Sequence, residues 1–213
     1  MPATAKICGL TTPATLDAAI AGGASHVGFV FFPPSPRHLA LDRAPSLAAR
    51  VPDRIHRTGV FVDPDDALLD AAIAAARLAV LQLHKTAPAR VAAIRTRFPA
   101  IALWPVVAVR TRADLDAARP FAPLAERILY DAKTPDAAAL PGGMGLRFDW
   151  RLLDGFVHPR PWLLSGGLDA GNVGEAIAAT GADLVDVSSG VETAPGIKDV
   201  DKIAAFLKAV RLS

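Results

Sequence analysis

Near its amino terminus the chain reads AKICGLT at residues 5–11, a short apolar run that ends in a cysteine and a glycine turn. Six later apolar runs also end next to residues that can bind or react. Their ends fall at Phe32, Asp63, His84, Asp131, the Ser165-Gly166-Gly167 turn and the Ser188-Ser189-Gly190 turn. In parallel α/β proteins, the carboxyl ends of the strands form the rim on which active sites are built. The recurrence therefore predicts a parallel sheet with a functional site along one edge.

Strand-like and helical segments alternate along the whole chain. The strand-like runs are nearly continuous in apolar residues, as strands buried on both faces should be. Between them, apolar residues recur at helical spacing, for example over residues 68–76 and 91–94. The alternation predicts right-handed crossovers and a single (β/α)8 TIM barrel over residues 1–213, with a doubly wound open sheet as the alternative. The eight predicted strands are Ala5–Cys8, His26–Phe32, Thr58–Val62, Val80–Leu83, Ile101–Val109, Arg127–Tyr130, Trp162–Leu164 and Leu184–Val187.

Two segments depart from this regular alternation. Pro45 lies inside residues 39–51, so the helix after the second strand should be weak. Residues 132–146 contain Pro135, Pro141 and two adjacent glycines, which predict a long loop rather than a helix. Loops of that length often cover a ligand.

The composition restricts the class of protein. Of 213 residues, 52% are hydrophobic and 21% are charged, which is typical of a globular chain. The 23 Lys and Arg nearly balance 21 Asp and Glu, and no basic run offers a surface for nucleic acid. No apolar run approaches the ~20 residues of a membrane span, and no apolar signal core is present. A single cysteine excludes an internal disulfide and suits a reducing compartment, so we expect a cytoplasmic protein.

Cys8 is the only cysteine and lies two residues after Lys6. Residues two apart in a strand point the same way, so both side chains should face the barrel interior. A nearby ammonium favours the thiolate, so we expect an activated Cys8 that works as a base or nucleophile, with a plain buried thiol as the alternative. A buried ammonium needs a partner. Because the first and eighth strands of a barrel are neighbours, we predict an ion pair between Lys6 and Asp186, either architectural or catalytic.

Asp131 and Arg37 are the other candidates for chemistry. Asp131 ends the sixth predicted strand. If its carboxyl group faces the site, partial burial should raise its pKa so that it can deliver a proton; otherwise it caps a turn or helix. Arg37 ends the proline-rich sequence PPSPR, whose rigidity lowers the entropy lost on binding. Its guanidinium suits a carboxylate or phosphate, unless it is an ordinary surface arginine.

The turns after the last two strands are candidates for phosphate binding. Glycines let backbone amides approach an anion closely. In (β/α)8 barrels, the loops after the seventh and eighth strands frequently hold phosphate. The candidate residues are Gly166, Gly167, Ser188, Ser189 and Gly190.

His84 ends the fourth predicted strand, where it either contacts a ligand or has a structural role. No group of histidines and acidic residues has the spacing of metal ligands. The sequence also contains neither a GxGxxG motif nor a Walker loop. We therefore expect neither a metal nor a cofactor.

These residues, in this order, resemble the phosphoribosylanthranilate isomerase family of the tryptophan pathway. The resemblance extends from end to end of the chain. It implies a (β/α)8 barrel that catalyses the Amadori rearrangement of N-(5-phosphoribosyl)anthranilate without metal or cofactor. The matching segments are Lys6–Thr11, Gly28–Phe32, Ser35–Arg37, Gly59–Val62, Leu81–His84, Phe148–Trp150, Ser165–Leu168, Val185–Glu192 and Pro195–Asp199.

The resemblance also implies a role for each candidate. Cys8 would be the general base and Asp131 the general acid. Arg37 would hold the anthranilate end of the substrate, His84 would contact the substrate, and the two Gly/Ser turns would hold its phosphate. The expected partner is a small anionic phosphosugar, with no nucleic acid and no membrane. The chain is expected to be a monomer or a weak homo-oligomer.

Two positions depart from the family's pattern. Lys85 stands where the family usually has glycine, which changes the backbone or the charge of the fourth loop. Met144 stands where a small hydroxyl residue is usual, so the hydrogen bond from that side chain is lost.

Other functions remain alternatives. An indole-3-glycerol-phosphate synthase would need a Lys/Glu pair on strands, for which Lys133 and Glu126 are poorly spaced. A sugar-phosphate epimerase would need metal-binding histidines. A non-catalytic sensor of phosphorylated metabolites would not need both Cys8 and Asp131. An enzyme that also accepts the aminoimidazole substrate of the histidine pathway usually has two catalytic aspartates, whereas this chain offers one aspartate and one cysteine.

Overall fold

Eight parallel strands close into a barrel, in chain order, in the computed structural model, which describes residues 2–134, 142–143 and 145–213. Every predicted strand is present, with ends shifted by no more than two residues. Strand β1 pairs with β8 and places Lys6 opposite Asp186, so the sheet is closed and the open-sheet alternative is wrong. The strands are β1 Thr4–Cys8, β2 His26–Val30, β3 His56–Val62, β4 Val80–His84, β5 Ala102–Val109, β6 Ile128–Ala132, β7 Trp162–Leu164 and β8 Leu184–Val187.

Helices connect most of the strands. The α-helices are α1 Pro13–Ala21, α2 Ala44–Ala48, α3 Asp66–Ala76, α4 Pro88–Arg97, α5 Val173–Thr180 and α6 Val200–Arg211. Helix α2 has only five residues, which confirms the weak helix predicted from Pro45. Three 3-10 helices, Arg112–Phe121, Trp150–Leu153 and Ser189–Val191, complete the described set.

A small hairpin follows the last barrel strand and was not predicted. It consists of β9 Glu192–Ala194 and β10 Ile197–Lys198, which pair antiparallel. Both strands are too short for an alternating pattern to reveal them. The hairpin matters because it carries two charged residues that reach the site.

The main hydrophobic core lies between the barrel and the helices. Outward-facing strand residues such as Phe29, Phe61 and Leu81 are fully buried there against helix residues such as Leu69 and Phe206. Removing so many apolar side chains from water is the main stabilising contribution to the fold. Among the described residues, no helix combines the length and the apolar character that crossing a membrane requires.

The interior of the barrel changes character along its axis. A separate apolar cluster fills one part of it: Val80, Trp104, Leu129, Leu163 and Leu184. One inward position further along the strands, the buried residues are polar: Lys6, Gln82 and Asp186. The strand ends beyond them carry the candidate functional residues. The apolar cluster therefore acts as a packed floor beneath a polar mouth.

Candidate active site

A single cavity at the carboxyl ends of the strands collects most of the predicted site residues. Its lining begins with Cys8 on β1 and ends with Ser189 after β8. The predicted residues among its lining are Cys8, Arg37, His84, Asp131, Gly166, Gly167, Ser188 and Ser189. The structure therefore brings together residues that are up to 181 positions apart in the sequence.

Lys6 and Asp186 form the ion pair predicted from barrel closure. The Lys6 Nζ lies 2.6 Å from the Asp186 Oδ1, and the two side chains are 0% and 5% exposed. Although burial disfavours the ammonium, the carboxylate of Asp186 holds the pKa of Lys6 above its ordinary value. The pair lies below the cavity mouth, where Asp186 also accepts a hydrogen bond from the Ser165 hydroxyl at 3.3 Å.

Cys8 faces the cavity, but its surroundings do not lower the pKa of its thiol. Its side chain packs against Val30 and Val60 and is almost fully buried. Burial raises the pKa of Cys8 above its ordinary value, and the nearby ammonium of Lys6 only partly offsets this. The predicted lowering of the Cys8 pKa is therefore wrong, because desolvation outweighs the attraction of a cation already paired with Asp186. The predicted shared face is confirmed: a methyl group built on Gly28 would stand 3.1 Å from both the Cys8 Sγ and the Lys6 Cε.

Asp131 lies across the same cavity at the end of β6. Burial raises its pKa to about 7, and repulsion from the Asp186 carboxylate contributes in the same direction. A hydrogen bond from the Ala132 amide to Oδ1, at 2.9 Å, partly opposes this rise. The prediction of a raised pKa is confirmed. Asp131 begins no helix in the structure, so the interpretation as a helix cap is wrong.

His84 and Gln82 occupy the β4 side of the cavity. The His84 Nε2 and the Gln82 Nε2 are 2.9 Å apart and form a hydrogen bond. Burial lowers the pKa of His84 to about 3, so its imidazole is neutral near pH 7. Gln82 was missed by the sequence reasoning, although it lies two residues before His84 and so shares its face. Its buried Oε1 has no hydrogen-bond partner among the described residues.

Arg37 is buried and held in place, so its interpretation as a surface arginine is wrong. Its Nε and Nη2 each donate a 2.7 Å hydrogen bond to the Glu192 carboxylate, and Nη2 donates another to the Gly143 carbonyl at 2.9 Å. Lys198 completes the group, with its Nζ 2.7 Å from Glu192 Oε1 and 2.8 Å from the Ser188 carbonyl. Although burial opposes it, hydrogen bonds from Arg37 and the charge of Lys198 lower the pKa of Glu192, which stays ionised.

The two Gly/Ser turns stand side by side at the mouth. Gly166 and Gly167 have φ values of +95° and +63°, a left-handed backbone that favours glycine. Gly190 differs from the other predicted residues because it is not part of the cavity lining. A methyl group built on Gly190 would stand 1.9 Å from the Leu168 carbonyl oxygen. Gly190 therefore lets the two turns pack against each other.

Described residues of the predicted 132–146 loop lie over the site. Gly142, Gly143 and Gly145 line the cavity. A methyl group on Gly142 would stand 2.6 Å from the Asp131 Oδ2, and one on Gly143 would stand 2.6 Å from the Arg37 Nη1. These positions agree with the prediction of a covering loop. Residues 135–141 and Met144, with its predicted loss of a hydrogen bond, lie outside the described residues.

Lys85, the other departure from the family's pattern, has a backbone consequence. Its φ is +50°, a left-handed conformation that glycine adopts without strain. Lys85 therefore adopts a conformation that glycine favours, and the expected effect on the backbone or charge of the fourth loop stays a prediction. Within the residues that the structure describes, no cluster of three or more metal-ligating side chains occurs.

Comparisons with known proteins show the family of the chain. A family model described as N-(5'-phosphoribosyl)anthranilate (PRA) isomerase matches residues 5–209. The N-(5'-phosphoribosyl)anthranilate isomerase of Zymomonas mobilis subsp. pomaceae is 56% identical over 208 residues, which is 97% of each chain. The enzyme of the same name from Paramagnetospirillum magneticum is 51% identical, over 99% of this chain and 98% of its own.

Solved structures give the same result at lower sequence identity. The crystal structure of phosphoribosyl anthranilate isomerase from Thermotoga maritima matches with a TM-score of 0.85 at 34% identity, covering 99% of this chain and 100% of that one. A phosphoribosyl anthranilate isomerase in complex with reduced 1-(o-carboxyphenylamino)-1-deoxyribulose 5-phosphate matches with a TM-score of 0.83 at 32% identity and the same coverage. The chain therefore belongs to the N-(5'-phosphoribosyl)anthranilate isomerase family and is an isomerase of tryptophan biosynthesis.

Proposed function

We propose that this isomerase converts N-(5-phosphoribosyl)anthranilate into 1-(2-carboxyphenylamino)-1-deoxyribulose 5-phosphate by general acid/base catalysis. The observation that carries the proposal is that Cys8 and Asp131 line one cavity. Arg37 and the two Gly/Ser turns line the same cavity, which supports a substrate with a carboxylate at one end and a phosphate at the other. The product analogue bound to a related isomerase has both of these groups.

The chemistry divides into two proton transfers. Asp131 donates a proton to the ring oxygen of the ribose, the bond from C1 to that oxygen breaks, and the ring opens to an iminium ion. Cys8 as thiolate then removes the proton from C2 to give an enolamine, which becomes the ketone product. An acid with a pKa near 7 retains its proton in a useful fraction of molecules at neutral pH. Cys8 is on β1 and Asp131 on β6, three strands apart around the closed barrel, so the two groups can approach one sugar from different sides.

The anthranilate carboxylate is assigned to Arg37. Glu192 holds one edge of the guanidinium through two hydrogen bonds, so the side chain loses little further freedom when it binds substrate. Among the described residues, Nη1 has no hydrogen-bond partner, which leaves a donor for a carboxylate. His84, as a neutral imidazole, contributes a contact from the β4 side of the cavity.

The phosphate is assigned to the turns after β7 and β8. Gly166, Gly167, Ser188 and Ser189 present backbone amides and hydroxyl groups to the cavity. Lys198 adds a positive charge, since its Nζ lies 3.1 Å from the Ser188 Oγ. Gly190 supports the arrangement by allowing the turns to meet.

The remaining features of the proposal concern assembly and location. The chain is a single domain over residues 1–213 and acts as a monomer or weak homo-oligomer; the cavity lining, which runs from Cys8 to Ser189, supports the single domain. The single cysteine, which suits a reducing compartment, supports a cytoplasmic location. The proposed partner is the anionic phosphosugar substrate.

The direct test is an assay that follows the loss of phosphoribosylanthranilate fluorescence. Cys8→Ala and Asp131→Asn should each lower kcat by about 10²- to 10⁴-fold, the usual contribution of a general acid or base. Asp53→Asn, at an exposed carboxylate, is the matched control and should retain full activity. Wild-type turnover in either of the first two variants would show that the mechanism is wrong.

A further inference from the structure

A buried ion pair that takes no part in the proposed reaction lies next to the base. The Lys6 Nζ and the Asp186 Oδ1 are 2.6 Å apart, in surroundings from which water is excluded. Lys6 shares the inner face of β1 with Cys8, and both side chains approach Gly28. The cation of the pair is therefore beside the thiol.

The anion of the pair is directed the other way, toward the acid. The Asp186 Oδ2 accepts a hydrogen bond from the Ser165 hydroxyl at 3.3 Å. Ser165 directly precedes Gly166, and a methyl group built on Gly166 would stand 3.1 Å from the Asp131 Oδ1. Strands β1, β8, β7 and β6 are consecutive in the barrel wall, so the groups follow one another from base to acid. The pair is thus an oriented dipole between the two reacting groups.

We propose that Lys6 and Asp186 are positioning residues that set the protonation of the catalytic pair: Lys6 favours the thiolate of Cys8, and Asp186 favours the neutral carboxyl group of Asp131. The inference rests on the proposed function, because it assigns a purpose to the ion pair only if Cys8 is the base and Asp131 the acid. It extends that function to two side chains to which the proposed mechanism assigns no proton transfer.

Burial of Cys8 and Asp131 explains why their protonation states need this influence. The reaction requires the thiolate and the neutral carboxyl group in the same molecule. Burial raises the pKa of Asp131 to about 7 and moves the pKa of Cys8 upward as well, from a higher ordinary value. The required form is then a minority, and each unit by which the Cys8 pKa exceeds that of Asp131 lowers its population about tenfold. Bringing the pKa of Cys8 closer to that of Asp131 therefore increases the fraction of molecules in the required form.

The orientation of the pair decides its net effect. After burial, Lys6 is the main influence on Cys8 and lowers its pKa, whereas Asp186 is the main charge acting on Asp131 and raises its pKa. Each partner has the opposite, smaller effect on the farther group. Lys198 is a further cation that favours the thiolate, and His84 is neutral because burial lowers its pKa to about 3. An ion pair with the opposite orientation would move the pKa values of Cys8 and Asp131 further apart.

The test uses the single cysteine, since alkylation by iodoacetamide then reports on Cys8 alone. The double variant Lys6→Met/Asp186→Asn removes both charges and leaves no buried ion unpaired. Its alkylation midpoint should rise by about one pH unit relative to the wild type. The two bends in its pH profile of kcat/KM should move apart, and the maximum should fall about tenfold. The matched control, Arg127→Met/Asp183→Asn, removes an exposed pair with a 2.7 Å contact. It should leave both the alkylation midpoint and the pH profile of kcat/KM unchanged.

A second variant gives a shift of opposite sign. Asp186→Asn alone removes the anion, so the alkylation midpoint of Cys8 should fall, as should the lower bend of the kcat/KM profile. Unchanged midpoints in the folded double variant, or in Asp186→Asn if the double variant does not fold, would overturn the inference and leave the pair a purely architectural one. Alkylation does not depend on turnover, so this outcome is separate from failure of the proposed function, which full activity of Cys8→Ala would show.

Discussion

The two halves of the barrel interior share β4, β6, β7 and β8 but differ in chemistry. In one half, Val80, Trp104, Leu129, Leu163 and Leu184 pack as an apolar floor. In the other half, the same strands continue into buried polar and ionisable groups that face a cavity. On β4, for example, the inward positions pass from Val80 through Gln82 to His84.

The difference shows how one fold separates stability from chemistry. The apolar floor needs no hydrogen-bond partners and gains from close packing. The polar mouth holds groups away from water, which raises the pKa of Asp131 to about 7 and makes it a useful acid. Burial of this kind destabilises the ionised state of the group. We therefore expect substitutions in the mouth to affect activity and substitutions in the floor to affect stability.

The largest expected effect is that of Asp131→Asn. Beyond the loss of about 10²- to 10⁴-fold in kcat, this variant should be more stable than the wild type at pH 8. The folded-state pKa of Asp131 lies above its unfolded value, so its favourable contribution to folding is complete below about pH 4 and is lost as the pH rises to about 7. Asparagine keeps an acceptor for the Ala132 amide without the charge.

Thermal melts of both proteins across pH check this stability effect. The gain in Tm should be present at pH 8 and absent at pH 4. If the difference in Tm between variant and wild type were the same at pH 4 and at pH 8, this would contradict the assignment of a raised pKa to the buried Asp131 carboxyl group.

Leu129→Ala tests the opposite half of the barrel. Leu129 is fully buried in the apolar floor, and its truncation should lower the free energy of unfolding by about 2–5 kcal/mol. Urea unfolding measures this change. The kcat of the folded variant, assayed well below its Tm, should stay close to that of the wild type, and a large loss of kcat would show that the two halves are not separate.

Glu192→Gln should have an intermediate effect that falls on binding. The substitution weakens the bidentate contact that holds Arg37, and it leaves Lys198 without its anionic partner. We expect KM to rise about tenfold, as for the loss of one charged hydrogen bond, with little change in kcat. Steady-state kinetics separate the two constants, and a fall in kcat at constant KM would contradict the proposed role of Arg37 in holding substrate.

The smallest effect is expected at the exposed ion pair between Arg127 and Asp183. Its atoms are 2.7 Å apart, almost the same as in the buried pair, but the two side chains are 27% and 58% exposed. Arg127→Met should lower the free energy of unfolding by no more than about 1 kcal/mol, whereas Lys6→Met, which leaves a buried carboxylate unpaired, should cost about 3–5 kcal/mol. Equal losses in urea unfolding would contradict the contrast between exposed and buried pairs.

Most of the fold could be predicted from the sequence because each strand is a short apolar run followed by a turn. The same regularity places Cys8, Asp131 and the Gly/Ser turns at one rim, and barrel closure predicts the partner of Lys6. These inferences need only the alternation of side chains along a strand and the order of strands around a barrel.

The parts that could not be predicted depend on surroundings that are distant in sequence. Glu192 and Lys198 lie on a hairpin of three- and two-residue strands, and Arg37, the partner of Glu192, is 155 residues away from it in the sequence. The sign of the Cys8 pKa shift depends on two opposing effects: burial of the thiol, which raises the pKa, and attraction from the nearby ammonium of Lys6, which lowers it. A one-dimensional pattern shows which groups face inward, but it does not fix the balance between desolvation and attraction.

The pH dependence of kcat/KM in the wild type and in Asp131→Asn tests the central claim most directly. If Asp131 is the acid and Cys8 the base, the wild-type value should rise about tenfold per pH unit and level off near pH 7, where Asp131 ionises. The residual activity of Asp131→Asn should keep rising beyond that point, because only the thiol then titrates. A variant whose profile levels off at the same pH as the wild type would contradict the account.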